Sequence, residues 1–244
     1  MNELVRIDEF RDVLRDYHLS KTTLFTLSQT KLVLIIGPTS SGRNTRIKRL
    51  LKTGDYHYVV SDTTRHPRIN DGVLEQNGHE YWFRTENEML TDLTEGKYLE
   101  AAIIHNQQVS GISVRELEKA RDEGRIAITD AEITGASSAV KYKPDTIVIF
   151  LLPPSFDEWQ RRIKHRGLMT PEEYKRRMQS ASKEFEVVLS NDYYRFVIND
   201  TGDDSLIQIN LIAKLEIINP DIQSKARALA RQLLAATLSL VETL

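Results

Sequence analysis

The sequence predicts an α/β fold built on a parallel sheet, and three observations carry that prediction. The apolar run Lys31-Leu32-Val33-Leu34-Ile35-Ile36 leads into Gly37-Pro38-Thr39-Ser40-Ser41-Gly42-Arg43-Asn44-Thr45, and a helical stretch from Arg46 to Lys52 follows. Strand, glycine loop and helix in that order bring backbone N–H groups and a helix N-terminus together around an anion. Strand-like and helix-like segments then alternate to about residue 218, and Thr146 to Leu152 is uncharged and largely β-branched, as a central parallel strand requires. The loop would sit at a strand's carboxyl end, where α/β folds bind their ligands.

Leu4, Ile7, Phe10, Val13, Leu14 and Tyr17 fall on one face at helical spacing, so the chain should open on an amphipathic helix. Tyr56 to Val60 reads as a second strand. Asp71-Gly72 and Asn77-Gly78 mark turns ahead of a short strand, Tyr81-Trp82-Phe83. Thr85 with Glu88, and Ser113 with Glu116, have capping-box spacing and open helices that stop near Gly96 and Gly124. Tyr98 to Ile104 and Ile126 to Asp130 read as strands. Ser155 begins a basic helix to about His165, and Thr170, Pro171 and Glu173 open a longer one to about Leu189. Phe196 to Ile198 is a last strand, followed by a helix from about Ser205 to Ile218. Beyond Pro220 an alanine- and leucine-rich stretch is helical by propensity and should bury a face, on the N-terminal helix or on a second subunit. A homo-oligomer through the terminal helices is therefore one expectation.

Composition narrows the function. With 40% apolar and 28% charged residues and a net charge of −2, this is an ordinary globular chain without the basic surface that nucleic acid requires. No apolar run approaches the roughly 20 residues that span a bilayer, and acidic residues share the polar face of the first helix, against membrane binding. The start, Asn2-Glu3, lacks the basic and apolar regions of a signal peptide, and there are no cysteines to form disulfides or thiolate metal sites. A cytoplasmic protein with neither membrane nor nucleic-acid partner is expected.

A second polar stretch, Ser61-Asp62-Thr63-Thr64-Arg65-His66-Pro67-Arg68, sets two arginines behind a row of hydroxyls. Guanidinium groups present paired donors to phosphate oxygens and stay charged. One phosphate site facing another suggests phosphoryl transfer between two nucleotides.

Together the two stretches resemble guanylate kinase, whose loop reads GPSGxGKST and whose acceptor segment reads SxTTRxPR followed by Tyr-x-Phe. The acceptor half runs on here to Gly78-His79-Glu80-Tyr81-Trp82-Phe83; in the loop, Arg43 stands at the lysine position and Asn44 at the serine position. The resemblance covers about Lys31 to Ile218 and implies a P-loop nucleoside monophosphate kinase fold. It implies an N-terminal helical extension over 1–28, a kinase domain over 29–218 and a C-terminal helical extension over 219–244. Within the domain it implies an acceptor subdomain over 61–105 and a lid over 155–185. ATP and Mg²⁺ would be bound by Gly37, Thr39, Ser40, Ser41, Gly42, Arg43, Asn44 and Thr45, with Asn44 a weak metal ligand and Asn199 beside the adenine. Ser61, Arg65, Arg68 and Tyr81 would grip the phosphate of GMP, and Ser110 stands where the family has a tyrosine. Glu100 would accept hydrogen bonds from guanine, and Asp130 and Glu132 would serve guanine and the magnesium-water shell. Arg162, Arg166 and Arg177 reproduce the lid arginines, which with Arg43 and Asp130 form the catalytic set.

Two further readings stay open. A guanylate kinase-like module that binds nucleotide or phosphopeptide without turnover suits the altered loop, whereas the retained lid arginines oppose it. A kinase for another phosphorylated acceptor, such as a sugar phosphate, suits Ile112 at the family's base-reading hydroxyl, whereas Glu100 opposes it.

Overall fold

The computed structural model describes residues 4–70, 72–165, 167 and 169–244. The first half of the chain forms α1 (Ile7–Arg15), α2 (Lys21–Gln29), β1 (Leu32–Ile36), α3 (Arg43–Leu51), β2 (Tyr56–Tyr58), β3 (Asp62–Thr63), β4 (Ile69–Asn70), β5 (Val73–Leu74), β6 (Trp82–Phe83), α4 (Glu86–Thr94), β7 (Tyr98–Ile104) and β8 (Gln108–Ser113). There follow α5 (Val114–Asp122), β9 (Ile126–Asp130), α6 (Ile133–Tyr142), β10 (Ile147–Leu152), α7 (Phe156–His165), α8 (Pro171–Leu189), β11 (Tyr194–Ile198), α9 (Asp204–Leu215) and α10 (Pro220–Thr243). These elements fall into two compact units, the first drawn from residues up to 32, 54–129 and 137–146, the second from 33–53, 130–136 and 147–244.

In the second unit β10 lies between β1 and β11, all parallel, with Val33 opposite Ile147 and Val148 opposite Tyr194. Every residue of β1 is buried, as a strand covered on both faces demands. Phe150 meets Phe185 of α8 and Phe196 of β11 edge-on, at 5.5 and 5.9 Å between ring centroids. Trp159 of α7 packs on Phe185 at 6.0 Å.

The C-terminal stretch is helical, and it finds its partner inside its own unit. α10 lies along α8 and β11, burying Ala226, Ala230, Leu233 and Thr237. Gln223 acts as a substitute strand for the sheet edge: Phe196 N donates to its Oε1 (2.8 Å), and its Nε2 donates to Phe196 O (2.9 Å). Unpaired edge groups are costly when buried, so the helix both covers and satisfies them.

In the first unit β2 runs parallel to β9, and a four-stranded sheet has the order β6-β3-β8-β7. The expected N-terminal helix is α1, and a second helix, α2, follows it. α2, Lys-Thr-Thr-Leu-Phe-Thr-Leu-Ser-Gln, gives little periodic signal because threonines fill its inner face beside Leu27 while Leu24 and Phe25 stay exposed. Ser20 caps it, accepting from Thr23 N at 3.1 Å. α1 buries Phe10 with Leu4 against Met89, Leu90 and Leu93 of α4 and Tyr98 and Val109 of the sheet. β4 and β5 pair antiparallel as a short hairpin, Ile69 opposite Leu74.

Both halves of the capping box at Thr85 form, whereas Ser113 caps α5 alone, accepting from Arg115 N. Glu116 turns inward and accepts from Val60 N (3.2 Å) and Trp82 Nε1 (3.1 Å), with His57 Nε2 at 3.1 Å.

If α10 contributes its buried face to the core, Leu233→Ala should cost about 2–4 kcal/mol, the range for deleting a buried leucine. Urea unfolding of parent and variant measures it; a change below about 0.5 kcal/mol, the usual surface effect, would show the helix to be loosely held.

Candidate active site

The donor set lies in the second unit. Gly37 follows β1, and the loop turns through Ser40 and Gly42, both with left-handed φ (61° and 96°), into the first turn of α3. A Cβ at Gly42 would fall 2.2 Å from Asn199 Nδ2, so only glycine fits that turn. Neighbouring elements hold the loop by its backbone: Asn199 Nδ2 donates to Ser41 O (2.6 Å) and Trp159 Nε1 to Thr39 O (2.7 Å). Ser40 Oγ and Ser41 Oγ are buried and make no hydrogen bond among the described residues. Buried hydroxyls without partners, beside a helix N-terminus, are groups that a bound anion would satisfy.

Arg43 is half-buried, donates from Nη1 to Ala131 O (3.1 Å), and comes within 3.8 Å of Asp130 Oδ2. Asn44 and Thr45 are exposed, and Asn44 lines the cavity of about 770 Å³ that runs from Ser40 past Asp130 to Arg162, His165 and Asp200. Asn44 and Thr45 offer a neutral amide oxygen and a hydroxyl, which suit Mg²⁺ only alongside phosphate oxygens. Arg162 donates to Glu158 Oε1 (2.8 Å) and to Asn199 O (3.1 Å), and hydrogen bonds from Arg161 and Arg162 hold the Glu158 carboxyl down at about 2. Arg177 donates to Thr39 Oγ1 (3.1 Å) while paired with Glu173. Arg166 lies outside the described residues. Glu132 is exposed.

Two residues of this set gave no sequence signal that was followed. Arg46 is buried and donates to Asn199 Oδ1 and, at 2.6 Å, to Asp200 O; burial pulls its pKa down. Its signal was a charge in register with Ile47 and Leu50 on the inner face of α3. Glu184, on α8, has its carboxyl pushed up by burial, with Arg43 and Ser180 opposing the rise and Glu132 adding to it.

The acceptor set Ser61, Arg65, Arg68, Tyr81, Glu100 and Ser110 lies in the first unit. Ser61, half-buried, precedes β3, and its carbonyl accepts from Trp82 N (2.9 Å). Glu75, which the sequence reading passed over, grips Arg65 through both carboxylate oxygens at 2.5 and 2.9 Å and also accepts from Arg68 N. The Arg65 guanidinium lies 4.7 Å from the centre of the Tyr81 ring. The side chain of Arg68 is exposed. Ser110, on β8, donates to Thr63 Oγ1 (2.9 Å), and Glu100 stands half-buried on β7 opposite Ile112. Ile112, at the position of the family's base-reading hydroxyl, is a core residue at 3% exposure. Asp130 and Glu132, assigned to the same ligand, belong to the second unit.

Beneath this set runs a buried network. Asp62 is fully buried and accepts from Tyr98 Oη (2.6 Å), Arg115 Nη2 (2.8 Å) and Arg84 Nη1 (3.4 Å); burial pushes its carboxyl up against those three partners.

A glycine loop at the end of a parallel strand, turning into a helix and held by arginine-bearing helices, defines a P-loop nucleotide site. The guanylate kinase family model matches residues 29–214. A guanylate kinase from Clostridium perfringens is 36% identical over 186 residues, covering 76% of this chain and 83% of that one. One from Porphyromonas gingivalis is 34% identical over 174 residues, covering 70% and 90%. The crystal structure of a guanylate kinase from Anaplasma phagocytophilum shares the fold, with a TM-score of 0.54 at 22% identity over 83% of this chain and 94% of that one. The chain belongs to the guanylate kinase family.

The acceptor frame should respond to acid. Burial pushes the Glu116 carboxyl up, but hydrogen bonds from His57, Val60 N and Trp82 Nε1 outweigh it and leave the pKa below the ordinary 4.5. A carboxylate lowered on folding stabilises the folded state above its unfolded pKa, and that contribution is lost as pH falls through the folded value. Urea midpoints measured downward from neutral pH should therefore fall more steeply below pH about 4.5 for the parent than for Glu116→Gln. Parallel curves would exclude the linkage.

Proposed function

We propose that this guanylate kinase-type phosphotransferase converts ATP and GMP to ADP and GDP through the residues described above. The orphaned hydroxyls of Ser40 and Ser41 in the glycine loop carry the reading, because they mark a cradle built for an anion. The loop N–H groups and Arg43 hold the donor's β- and γ-phosphates. Asn44 would hold Mg²⁺, which when bound neutralises charge between those phosphates.

Arg65 and Arg68 bind the acceptor phosphate, with hydroxyls from Ser61, Tyr81 and Ser110 completing its shell. Glu75 orients Arg65, so less rotamer freedom is lost when phosphate binds. Glu100 accepts from guanine N1–H and the N2 amine, a pair of donors that adenine lacks, while Asp130 and Glu132 assist. A GMP phosphate oxygen attacks the γ-phosphorus, the bond to the β–γ bridging oxygen breaks, and ADP leaves. There is little covalent work for the protein; positioning and charge do nearly everything. Arg162, Arg166 and Arg177 cover the charge spread over the transferred group and exclude water.

One observation favours the reading as a binder without turnover: the Arg43 guanidinium is already engaged by Ala131 O and Asp130. GDP formation at saturating Mg²⁺ separates the two. The parent should turn over, Arg43→Ala should lose about 10²-fold or more, and Arg43→Lys with Asn44→Ser should gain, because a mobile ammonium and a metal-binding hydroxyl match the transition state better. A parent that binds GMP without converting it is a binder, and turnover that survives Arg43→Ala removes Arg43 from the donor site.

Base choice rests on Glu100. Glu100→Gln turns one acceptor oxygen into a donor, and discrimination by such a site can reach on the order of 10⁴. The variant should lose most of its preference for GMP over AMP in kcat/KM; an unchanged ratio would show that another group reads the base.

A further inference from the structure

We infer that the segment ahead of the family-matched region is part of the acceptor half, with Tyr17 a positioning residue for acceptor binding; this rests on the kinase reading above. The matched region begins at residue 29, so α1, Tyr17 and Ser20 all lie outside it. Tyr17 stands between α1 and α2, where its hydroxyl donates to Tyr98 O and accepts from Tyr98 N, both at 2.7 Å. β7 is an edge strand, and one hydroxyl thus fills the donor and the acceptor that a neighbouring strand would otherwise take.

The residue pinned in this way leads directly to the acceptor groups. The buried phenol of Tyr98 donates to Asp62, the residue after Ser61. Glu100 lies two positions further along β7, and the ladder with β8 shifts register between Tyr98 and Glu100. The direction of the Glu100 side chain therefore depends on where the backbone of Tyr98 is held. Tyr17 is itself fixed from behind, since Tyr142 Oη donates to Tyr17 O (3.1 Å) and the two rings meet edge-on at 6.4 Å. Ser20 N donates to Gly96 O (3.1 Å), where a Cβ on Gly96 would lie 2.5 Å from Ser20 N, so the segment is seated against the turn into β7. At its other end Glu86 accepts from Val5 N (3.0 Å) and Arg6 N (2.8 Å), tying the start of α1 to the first turn of α4.

The test is steady-state kinetics of the full chain, varying GMP and ATP separately, with melting temperatures recorded for each variant. Tyr17→Phe keeps the ring and removes both hydrogen bonds. It should raise the KM for GMP about fivefold to tenfold, the scale of one hydrogen bond or a little more, with kcat and the KM for ATP unchanged. Tyr142→Phe, which leaves the Tyr17 hydroxyl in place, should shift the same constant in the same direction by a smaller factor and serves if Tyr17→Phe does not fold. A role confined to stability would lower the melting temperature and the active fraction, hence kcat, at constant KM; that pattern, or a GMP KM unchanged in both variants, overturns the proposal alone. A parent that neither converts nor binds GMP overturns the kinase reading and this inference with it.

Discussion

A side-chain amide buried at the end of a strand must have all of its hydrogen-bonding groups filled, and at Asn199 that requirement organises the second unit. Its Nδ2 holds the phosphate loop at Ser41, its Oδ1 accepts from Arg46 of α3, and its main-chain carbonyl accepts from Arg162 of α7. Its own N–H returns to Leu152 at the end of β10. Loop, α3, sheet and Arg162 of α7 are thus referred to one residue at 4% exposure. Any change in one of them is felt by the others, because low-dielectric surroundings make a lost partner expensive.

The two units solve a common problem in related ways. A sheet edge buried under a helix needs partners for its backbone groups, and a side chain that is both donor and acceptor can stand in for a strand. Gln223 does this for β11 through its amide, and Tyr17 does it for β7 through its hydroxyl. Neither side chain belongs to the residues matched by the family model, which end at 214. The two segments outside the match therefore carry structural duties that the matched region alone leaves undone.

Much of the fold was legible because its signals are local. The glycine loop after an apolar strand, the Thr170-Pro171 start of α8 and the capping box at Thr85 each depend on a few neighbouring residues, and each is present. What escaped depends on distant partners. Glu116 has the spacing of a cap, yet it is drawn inward by His57, Val60 and Trp82, groups that no local pattern brings together. α2 was missed because threonines on its inner face blur the apolar period. In the acceptor set, arginines and hydroxyls announce themselves by type, whereas Glu75 looked like one more polar residue in a turn-rich stretch until its carboxylate met Arg65.

The order in which the chain visits its two units has a consequence for folding. It crosses from one to the other after residues 32, 53, 129, 136 and 146, so β1 and β9 each begin in the first unit and end in the second. Neither unit is contiguous in sequence: the first cannot close until residues 137–146, from the middle of α6 onward, have met segments more than a hundred positions earlier, as Tyr142 meets Tyr17 and Lys143 meets Leu27, at a cost in loop-closure entropy that grows with the logarithm of the separation. Contacts so distant along the chain slow the search for the native state and reward it late. A cut anywhere between residues 54 and 129 would divide both units at once, so neither fragment would carry a complete core.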